Sequence, residues 1–395
     1  MNAHVISLLT AITVACTACD RNNTPATPGT ETPVVTPPAP GTTATAGQLR
    51  VETLLTGYEV IWGMDFLPGG DLLFTEKRGR LYRRSAQGVT PLTGLPTDIS
   101  VDGQGGLLDL RVHPDYATNG WIYVSYAATA PGTPNTRLKL IRFKLTGNAL
   151  TDVQTILQTS ATNQWKGHYG SRIEFDKAGF LYLSVGEGGP SSRGGADSPN
   201  KNAQNVQTEW GKVHRMTDAG AVPADNPVLP GNTAPTTVFS YGHRNPQGLA
   251  LNAATGELWE SEHGPRGGDE VNLVQRGKNY GWPLVSYGVN YDGTVISANP
   301  TMAGVENPVH TWTPSIGACG LAFVTGDGFK AWRGNLLAGG LAQTYLSRLE
   351  LDGNRVVREE KLLQGNRVRN VKMAPDGSIY VSVEGPGRVL RLTLQ

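Results

Sequence analysis

Four segments of this sequence concentrate the side chains that bind cofactors or transfer protons. The first contains His168, which is flanked by Gly167 and Gly170 and precedes an alternating run of apolar residues. An imidazole gains or loses a proton near neutral pH, so His168 is a candidate general base. From the residues alone, a structural or surface histidine is the alternative interpretation.

Two further segments are rich in arginine. Arg244 and Asn245 lie in the run YGHRNPQG, where the planar guanidinium suits a carboxylate or a flat ring. Arg367 and Arg369 are two residues apart, and alternation along a strand puts both on one side. Such a pair attracts an anion with more than one carboxylate or phosphate. The alternatives are an arginine that pins a loop and a pair of ordinary surface arginines.

The remaining segment is acidic. Glu262, Asp269 and Glu270 lie among glycines in SEHGPRGGDEVNL. Hard oxygen ligands on a flexible loop suit calcium, although the spacing is not that of an EF-hand. An acidic surface turn is the alternative.

A repeated pattern predicts the elements that position these residues. Each copy contains a hydrophobic triplet, a turn with Asp or Gly, and an alternating strand. Repeated hairpins with one apolar face bury themselves by stacking radially, so the prediction is an all-β, six-bladed β-propeller. A β-sandwich with coincidental hairpins is the alternative. Several copies end in Gly-rich segments, expected to converge on one face near the axis. The six copies begin at Met64, Leu110, Ile173, Leu249, Leu321 and Val371.

The composition agrees with many short elements. The 395 residues include 50 glycines and 26 prolines, and only 17% are charged, which argues against a helical protein. A formal charge of +1 provides no field for steering onto nucleic acid or an anionic membrane. Cys319 is the single cysteine in the body of the chain, so a large core must replace a disulfide framework.

The first 47 residues read as a processing region and a tether. The apolar stretch 5–15 is too short to span a bilayer, and Cys16 and Cys19 follow it. We expect a signal peptide over 1–19, of lipoprotein type with lipid on Cys19 or Cys16. Plain secretion and a disordered cytosolic tail are the alternatives. Residues 20–47 form a Pro/Thr-rich disordered linker, and 48–395 the propeller. The expected location is secreted, periplasmic or cell-envelope, with membrane contact only through the anchor.

Taken together, the motifs YGHRNPQG, SEHGPRGGDEVNL and GKNYGWP resemble the soluble quinoprotein glucose/aldose sugar dehydrogenase family, especially its bacterial aldose sugar dehydrogenase branch. The resemblance runs from about residue 50 to the end. It implies a six-bladed propeller with pyrroloquinoline quinone (PQQ) across its top and Ca²⁺ as Lewis acid. An aldose would be oxidised at its anomeric carbon to a lactone, with hydride passing to PQQ, and an external acceptor would take the electrons.

The resemblance also implies residue roles. His168 takes the place of the proton-abstracting base. The backbone carbonyls of Gly264 and Pro265 match the ligands of the cofactor's calcium, and Glu270 and Tyr280 match a second, structural calcium site. The positions that match cofactor contacts are Gln104, Arg244, Asn245, Tyr291, Arg367 and Arg369.

Three positions depart from the pattern of that family. Ala342 stands where its glucose-active member has a lysine, which removes a cation. Gly167 replaces an aspartate, and Gly188, in the Gly-rich segment GEGG, replaces a glutamine that contacts the substrate, which removes two polar sugar contacts. These departures leave two other functions as alternatives. One is a non-enzymatic propeller that binds a glycan or a protein partner, and the other is a Ca²⁺-dependent lactonase that uses metal-activated water. The combined set of His168, Arg244, Arg367 and Arg369 favours the dehydrogenase.

Overall fold

The computed structural model describes residues 48–394, and in this range 24 β-strands form six four-stranded antiparallel sheets. The six sheets confirm the predicted all-β, six-bladed propeller. Helical structure in the same range is limited to α1 (Tyr116–Asn119) and a 3₁₀ turn (Lys330–Trp332). The expectations for a signal peptide, lipid attachment and linker fall on residues 1–47, outside the described residues.

The blades follow one another along the chain. The strands of blades one to three are β2 (Ile61–Phe66), β3 (Leu72–Glu76), β4 (Arg80–Ser85) and β5 (Gly88–Pro91); β6 (Leu107–Val112), β7 (Ile122–Ala130), β8 (Thr133–Thr146) and β9 (Ala149–Gln158); and β10 (Ile173–Phe175), β11 (Leu181–Val185), β12 (Lys212–Met216) and β13 (Val238–Tyr241). Those of blades four to six are β14 (Pro246–Leu251), β15 (Leu258–Glu262), β16 (Asp269–Val274) and β17 (His310–Trp312); β18 (Ala318–Phe323), β19 (Leu336–Gly340), β20 (Tyr345–Asp352) and β21 (Arg355–Leu362); and β22 (Arg367–Met373), β23 (Ile379–Glu384) and β24 (Gly387–Leu394), with β1 (Leu49–Tyr58).

The first strand of the domain closes the ring. β1 pairs antiparallel with β24, so that Leu49 lies opposite Leu394 and Val51 opposite Leu392. The sixth sheet therefore combines the two ends of the described chain. This pairing covers an edge of β24 that would otherwise expose unpaired backbone groups. The repeats did not indicate this closure, because β1 lies outside the repeated pattern.

The sequence repeats correspond to the innermost strands. The six starting positions lie in β2, β6, β10, β14, β18 and β22, one in each blade. Between blades, large apolar side chains pack into the core: Leu81 of blade one joins Leu110 and Val124 of blade two, and Trp259 of blade four meets Phe323 of blade five. Burying this apolar surface is the main favourable contribution to folding.

The innermost strands begin on one face, called here the upper face, and end on the other. Arg367 and Trp62, near the start of their strands, line a cavity on the upper face. Arg111, Phe175 and Met373, near the ends of theirs, line a separate cavity at the lower end of the central channel. Among the residues from 48 to 394, no helix is long and apolar enough to cross a membrane.

Candidate active site

His168 lies on the upper face in an unusual backbone conformation. Lys166 and His168 have φ angles of 61° and 49°, in the left-handed region that non-glycine residues rarely adopt. A Cβ on Gly186 would lie 2.2 Å from the carbonyl oxygen of His168, so only glycine permits this close approach. Strained positions of this kind cluster at functional sites, which supports a role for the histidine.

A buried carboxylate orients the imidazole. His168 Nδ1 lies 3.1 Å from Glu187 Oε1, and the side chain of Glu187 is fully buried. The other carboxylate oxygen accepts hydrogen bonds from Asn200 Nδ2 and Trp282 Nε1. Burial raises the pKa of Glu187 to about 8, against the opposing charge of Arg244. Burial, with the positive charge of Arg244, also holds the pKa of His168 well below its usual range, so the ring is neutral at pH 7.

Gln104 connects the second blade to this histidine. Its side-chain oxygen accepts a hydrogen bond of 2.9 Å from the backbone N–H of His168. Its own backbone N–H donates to the carbonyl of Lys166, also at 2.9 Å. The exposed glutamine therefore lies at the edge of the upper-face cavity, directly beside the candidate base.

Arg244 and Asn245 present buried donors without partners. Arg244 Nη1 donates to the carbonyls of His263 and Gly264 at 2.9 and 2.8 Å. Its Nε and Nη2 atoms, and Asn245 Nδ2, have no hydrogen-bond partner among the described residues. The guanidinium also lies 5.0 Å from the Trp282 ring. Unpaired buried donors are costly, so these groups are suited to a ligand.

Arg367 and Arg369 lie side by side, as predicted. Both Nε atoms donate to Glu384, at 2.6 Å, and Arg369 Nη1 donates to Gln247 at 2.8 Å. They line a cavity of about 310 Å³, called here the arginine pocket. Its other polar side chains come from Lys77, Gln104, Gln247, His263 and Glu384.

A second cavity of about 340 Å³ adjoins the arginine pocket, since His263 lines both. Tyr291, which is 68% exposed, lines this cavity together with Gly264 and Pro265. The carbonyl of Gly264 accepts from Arg244, and that of Pro265 accepts from the hydroxyl of Ser315 at 3.3 Å. A carbonyl oxygen has two lone pairs, so each retains one for a cation.

The acidic segment differs from the flexible loop or surface turn expected of it. Glu262 ends β15, and Asp269 and Glu270 begin β16, so all three lie in strands. Asp269 has a structural role, because its two oxygens accept the backbone N–H groups of Gly264 and Ala318 at 2.9 and 2.8 Å. The expectation failed because charged residues in a Gly-rich run resemble a solvated turn, while these strands bury them.

Glu262 and Glu270 instead join Glu260 in a buried carboxylate cluster. Burial raises the pKa of Glu260 to about 8 and that of Glu262 to about 7. Glu260 Oε2 and the side-chain oxygen of Asn272 have no hydrogen-bond partner within residues 48–394. Tyr280 lines a small cavity with Glu262 and Glu270. Carboxylates that line a small cavity, here Glu262 and Glu270, fit calcium chemistry.

Comparison with known proteins assigns the chain to a family. The family model for glucose/sorbosone dehydrogenases matches residues 58–391. The chain belongs to this family. It is therefore an oxidoreductase of the sugar dehydrogenase type.

Two relatives and one solved structure show what this member of the glucose/sorbosone dehydrogenase family is similar to. The aldose sugar dehydrogenase YliI of Escherichia coli is 35% identical, over 89% of this chain and 94% of its own. Quinoprotein glucose dehydrogenase B of Acinetobacter calcoaceticus is 27% identical, over 84% of each chain. A solved structure of the PQQ-bound aldose sugar dehydrogenase of Streptomyces coelicolor has a TM-score of 0.69 and 28% identity, covering 88% of this chain and 99% of that chain.

The structure of this dehydrogenase also reveals site residues that the motifs did not identify. Glu187, the partner of His168, lies in the segment GEGG, which was singled out only for its glycines. A carboxylate two residues after the end of a fully buried strand, β11, was the available signal. Gln247, which holds Arg369, lies in the YGHRNPQG motif, and Lys77 lies in the turn after β3.

Two of the departures, Gly167 and Ala342, have different surroundings in this dehydrogenase. A Cβ on Gly167 would lie 2.5 Å from the ring of Trp165, which packs edge-on against His168 with ring centroids 4.7 Å apart. The tryptophan therefore occupies the space that a side chain at position 167 would need. Ala342 lines the same cavity as Tyr291.

Proposed function

We propose that this protein is a PQQ-dependent aldose sugar dehydrogenase that oxidises the anomeric carbon of an aldose to a lactone. The observation that carries the proposal is the buried pair of His168 and Glu187 beside the arginine pocket. A neutral imidazole with a carboxylate behind it is an arrangement for removing a proton. The names of the quinoprotein and PQQ-bound relatives support the choice of cofactor.

The residues present fit a flat, tricarboxylate cofactor. Arg367 and Arg369 would hold its carboxylates, and the unpaired donors of Arg244 and Asn245 would find acceptors on it. Tyr291, whose ring centroid lies 6.0 Å from the Arg244 guanidinium, would contact the cofactor in the adjoining cavity, with Gln104 at the other edge. When bound, PQQ would accept the hydride, since the redox chemistry belongs to the cofactor.

His168 would act as the base through Nε2. When Glu187 is ionised, Nδ1–H would donate to its carboxylate 3.1 Å away, which leaves the lone pair on the other ring nitrogen. Nε2 would take the proton of the anomeric hydroxyl as the hydride leaves the same carbon. The resulting imidazolium would be stabilised by Glu187, which Asn200 and Trp282 hold in place.

Calcium is proposed at two places. The carbonyls of Gly264 and Pro265 would hold the ion that binds with the cofactor and serves as its Lewis acid. Glu270 and Tyr280 would hold a structural ion in the small cavity that Glu262 also lines. We also propose a secreted or cell-envelope location and an external electron acceptor, on the basis of the N-terminal sequence and the reaction class.

The test is reconstitution of the full-length protein. Apo-protein is mixed with PQQ and Ca²⁺, and reduction of an artificial dye is followed with a panel of aldoses. We expect reduction to require both additions. His168→Gln should lower kcat about 1000-fold, within the range for loss of a general base, while PQQ binding is retained. If the protein binds no PQQ, the proposal is wrong and a non-enzymatic propeller is favoured. Cofactor-independent hydrolysis of lactones with Ca²⁺ would favour the lactonase.

A further inference from the structure

Lys77 lies in the arginine pocket without an assigned role. It begins the turn between β3 and β4, and its side chain is partly buried. Its ammonium group donates to the carbonyl oxygen of Gly103 at 2.9 Å. The residue after Gly103 is Gln104, whose side-chain oxygen accepts a hydrogen bond from the backbone N–H of His168. Lys77 therefore lines the same pocket as Arg367 and Arg369, close to the segment that contacts His168.

The charges in this pocket are unequally compensated. Arg367 and Arg369 share one carboxylate, Glu384, which both contact directly. Lys77 has no acidic group within ion-pair distance among residues 48–394; its contact is with a neutral carbonyl. Three cations and one carboxylate leave two uncompensated positive charges.

This arrangement costs free energy in the unliganded protein. Burial and the positive charge of Arg369 both lower the pKa of Lys77, which shows that the ammonium group is partly desolvated beside a like charge. Glu384 and Asp102 oppose the shift from a longer range, but Asp102 is itself paired with Lys166 at 2.7 Å. An anion entering the pocket would relieve the repulsion and supply the missing partner.

We propose that Lys77 is a cofactor-binding residue: its ammonium group pairs with a carboxylate of PQQ next to those held by Arg367 and Arg369. This inference rests on the proposed function. Lys77, which follows a strand of blade one, would be the third cation of the pocket. Ala342 supplies no positive charge at the position where the glucose-active relative has a lysine.

The test measures cofactor affinity rather than turnover. PQQ binding to the full-length apo-protein is measured by titration calorimetry with saturating Ca²⁺ for the wild type, Lys77→Gln and Lys77→Arg. Because charge-assisted hydrogen bonds are roughly twice as strong as neutral ones, we expect Lys77→Gln to raise Kd about tenfold and Lys77→Arg to stay near the wild type. Lys177→Gln is the matched control, since Lys177 is an exposed turn residue between β10 and β11.

The salt dependence separates charge from structure. Removing one ionic contact should flatten the dependence of log Kd on salt concentration for Lys77→Gln, and Ala342→Lys in that background should restore affinity. If Lys77 only supports Gly103, the salt dependence and Kd will match the wild type while kcat at saturating PQQ falls, and the inference is overturned. If Lys77→Arg binds as weakly as Lys77→Gln, it is also overturned. If the wild type does not bind PQQ, the proposed function itself is wrong.

Discussion

The two ends of the central channel open into cavities of equal volume, about 310 Å³ each. They differ in whether their charged side chains have partners of opposite charge. At the lower end, Arg111 pairs with Glu174 and with Asp65, whose other oxygen lies 3.2 Å from the Lys372 ammonium group. Backbone N–H groups complete the carboxylates there: Val112 donates to Asp65 and Phe175 to Glu174. The two cations and two anions of that cluster compensate each other.

At the upper face the polar groups are left partly unpaired. Arg244 and Asn245 have donors without partners, and Lys77 has no contacting carboxylate among the described residues. Glu260 keeps an oxygen without a donor. A buried network that is complete stabilises the fold, whereas an incomplete one costs free energy unless a ligand completes it. Cavity volume alone would not separate the two ends, but hydrogen-bond satisfaction does.

The largest effect on the upper face is expected from Glu187→Gln. The amide of glutamine would donate to His168 Nδ1, which moves the ring proton to Nε2 and removes the base. We expect kcat to fall about 100- to 1000-fold, comparable to loss of a general base. Stopped-flow reduction of bound PQQ by glucose measures this step, and calorimetric Kd values for PQQ serve as the control. An unchanged reduction rate would show that Glu187 does not orient the base.

The same residue predicts a pH dependence. The pKa of Glu187 is raised to about 8 by burial, and its carboxylate form is the one that supports the base. Activity should therefore rise as the pH increases through about 8, and it should be lowest where the carboxyl is protonated. The pH profile of kcat/KM checks this, and Glu187→Gln should lack that rise. A profile that falls across this range in the wild type would contradict the assignment.

At the lower end, Arg111→Met should affect stability instead of chemistry. It leaves Glu174 and part of Asp65 without their cation, and breaking a buried ion pair costs about 3–5 kcal/mol. Because the Arg111 side chain is 20% exposed, we expect about 3 kcal/mol at the lower limit of that range. Denaturant unfolding of the apo-protein measures it. Arg355→Met, which removes an exposed pair with Asp352, should cost less than about 1 kcal/mol. A loss of PQQ affinity in Arg111→Met would break the distinction between the two ends.

The sequence predicted the blades better than it predicted the chemistry between them. The repeats starting at Met64 and Leu110 fall in innermost strands because each blade buries the same alternating apolar pattern. The closing pair of Leu49 and Leu394 joins the two ends of the described chain, and no local pattern encodes such a contact. The sequence also did not reveal the partner of His168. Nothing near His168 in the chain indicates that Glu187, which lies just after β11, contacts its imidazole.

The acidic segment shows the same limit in another form. Glu262 and Glu270 were recognised as calcium-type residues, but were expected on a flexible loop, because residue type reports charge and not burial. Glu260 was not identified, since it lies in the middle of β15, where all five residues are buried. Burial of several carboxylates together becomes visible only once β15 and β16 are paired.

The smallest effect concerns this carboxylate cluster. An ion that binds the folded state alone stabilises it by mass action, so Ca²⁺ added without PQQ should raise the Tm of the wild type by about 2–4 °C. Glu270→Gln should lose most of that shift, because the site would lack a charged oxygen ligand. Glu306→Gln, which removes a carboxylate paired with Lys278, is the matched control and should keep the shift. If Glu270→Gln responds to Ca²⁺ as the wild type does, the ion binds elsewhere, and the unpaired oxygens of Glu260 and Asn272 are completed by protons or water instead. The cluster would then resemble the lower end of the channel, and the contrast between the faces would rest on Arg244, Asn245 and Lys77 alone.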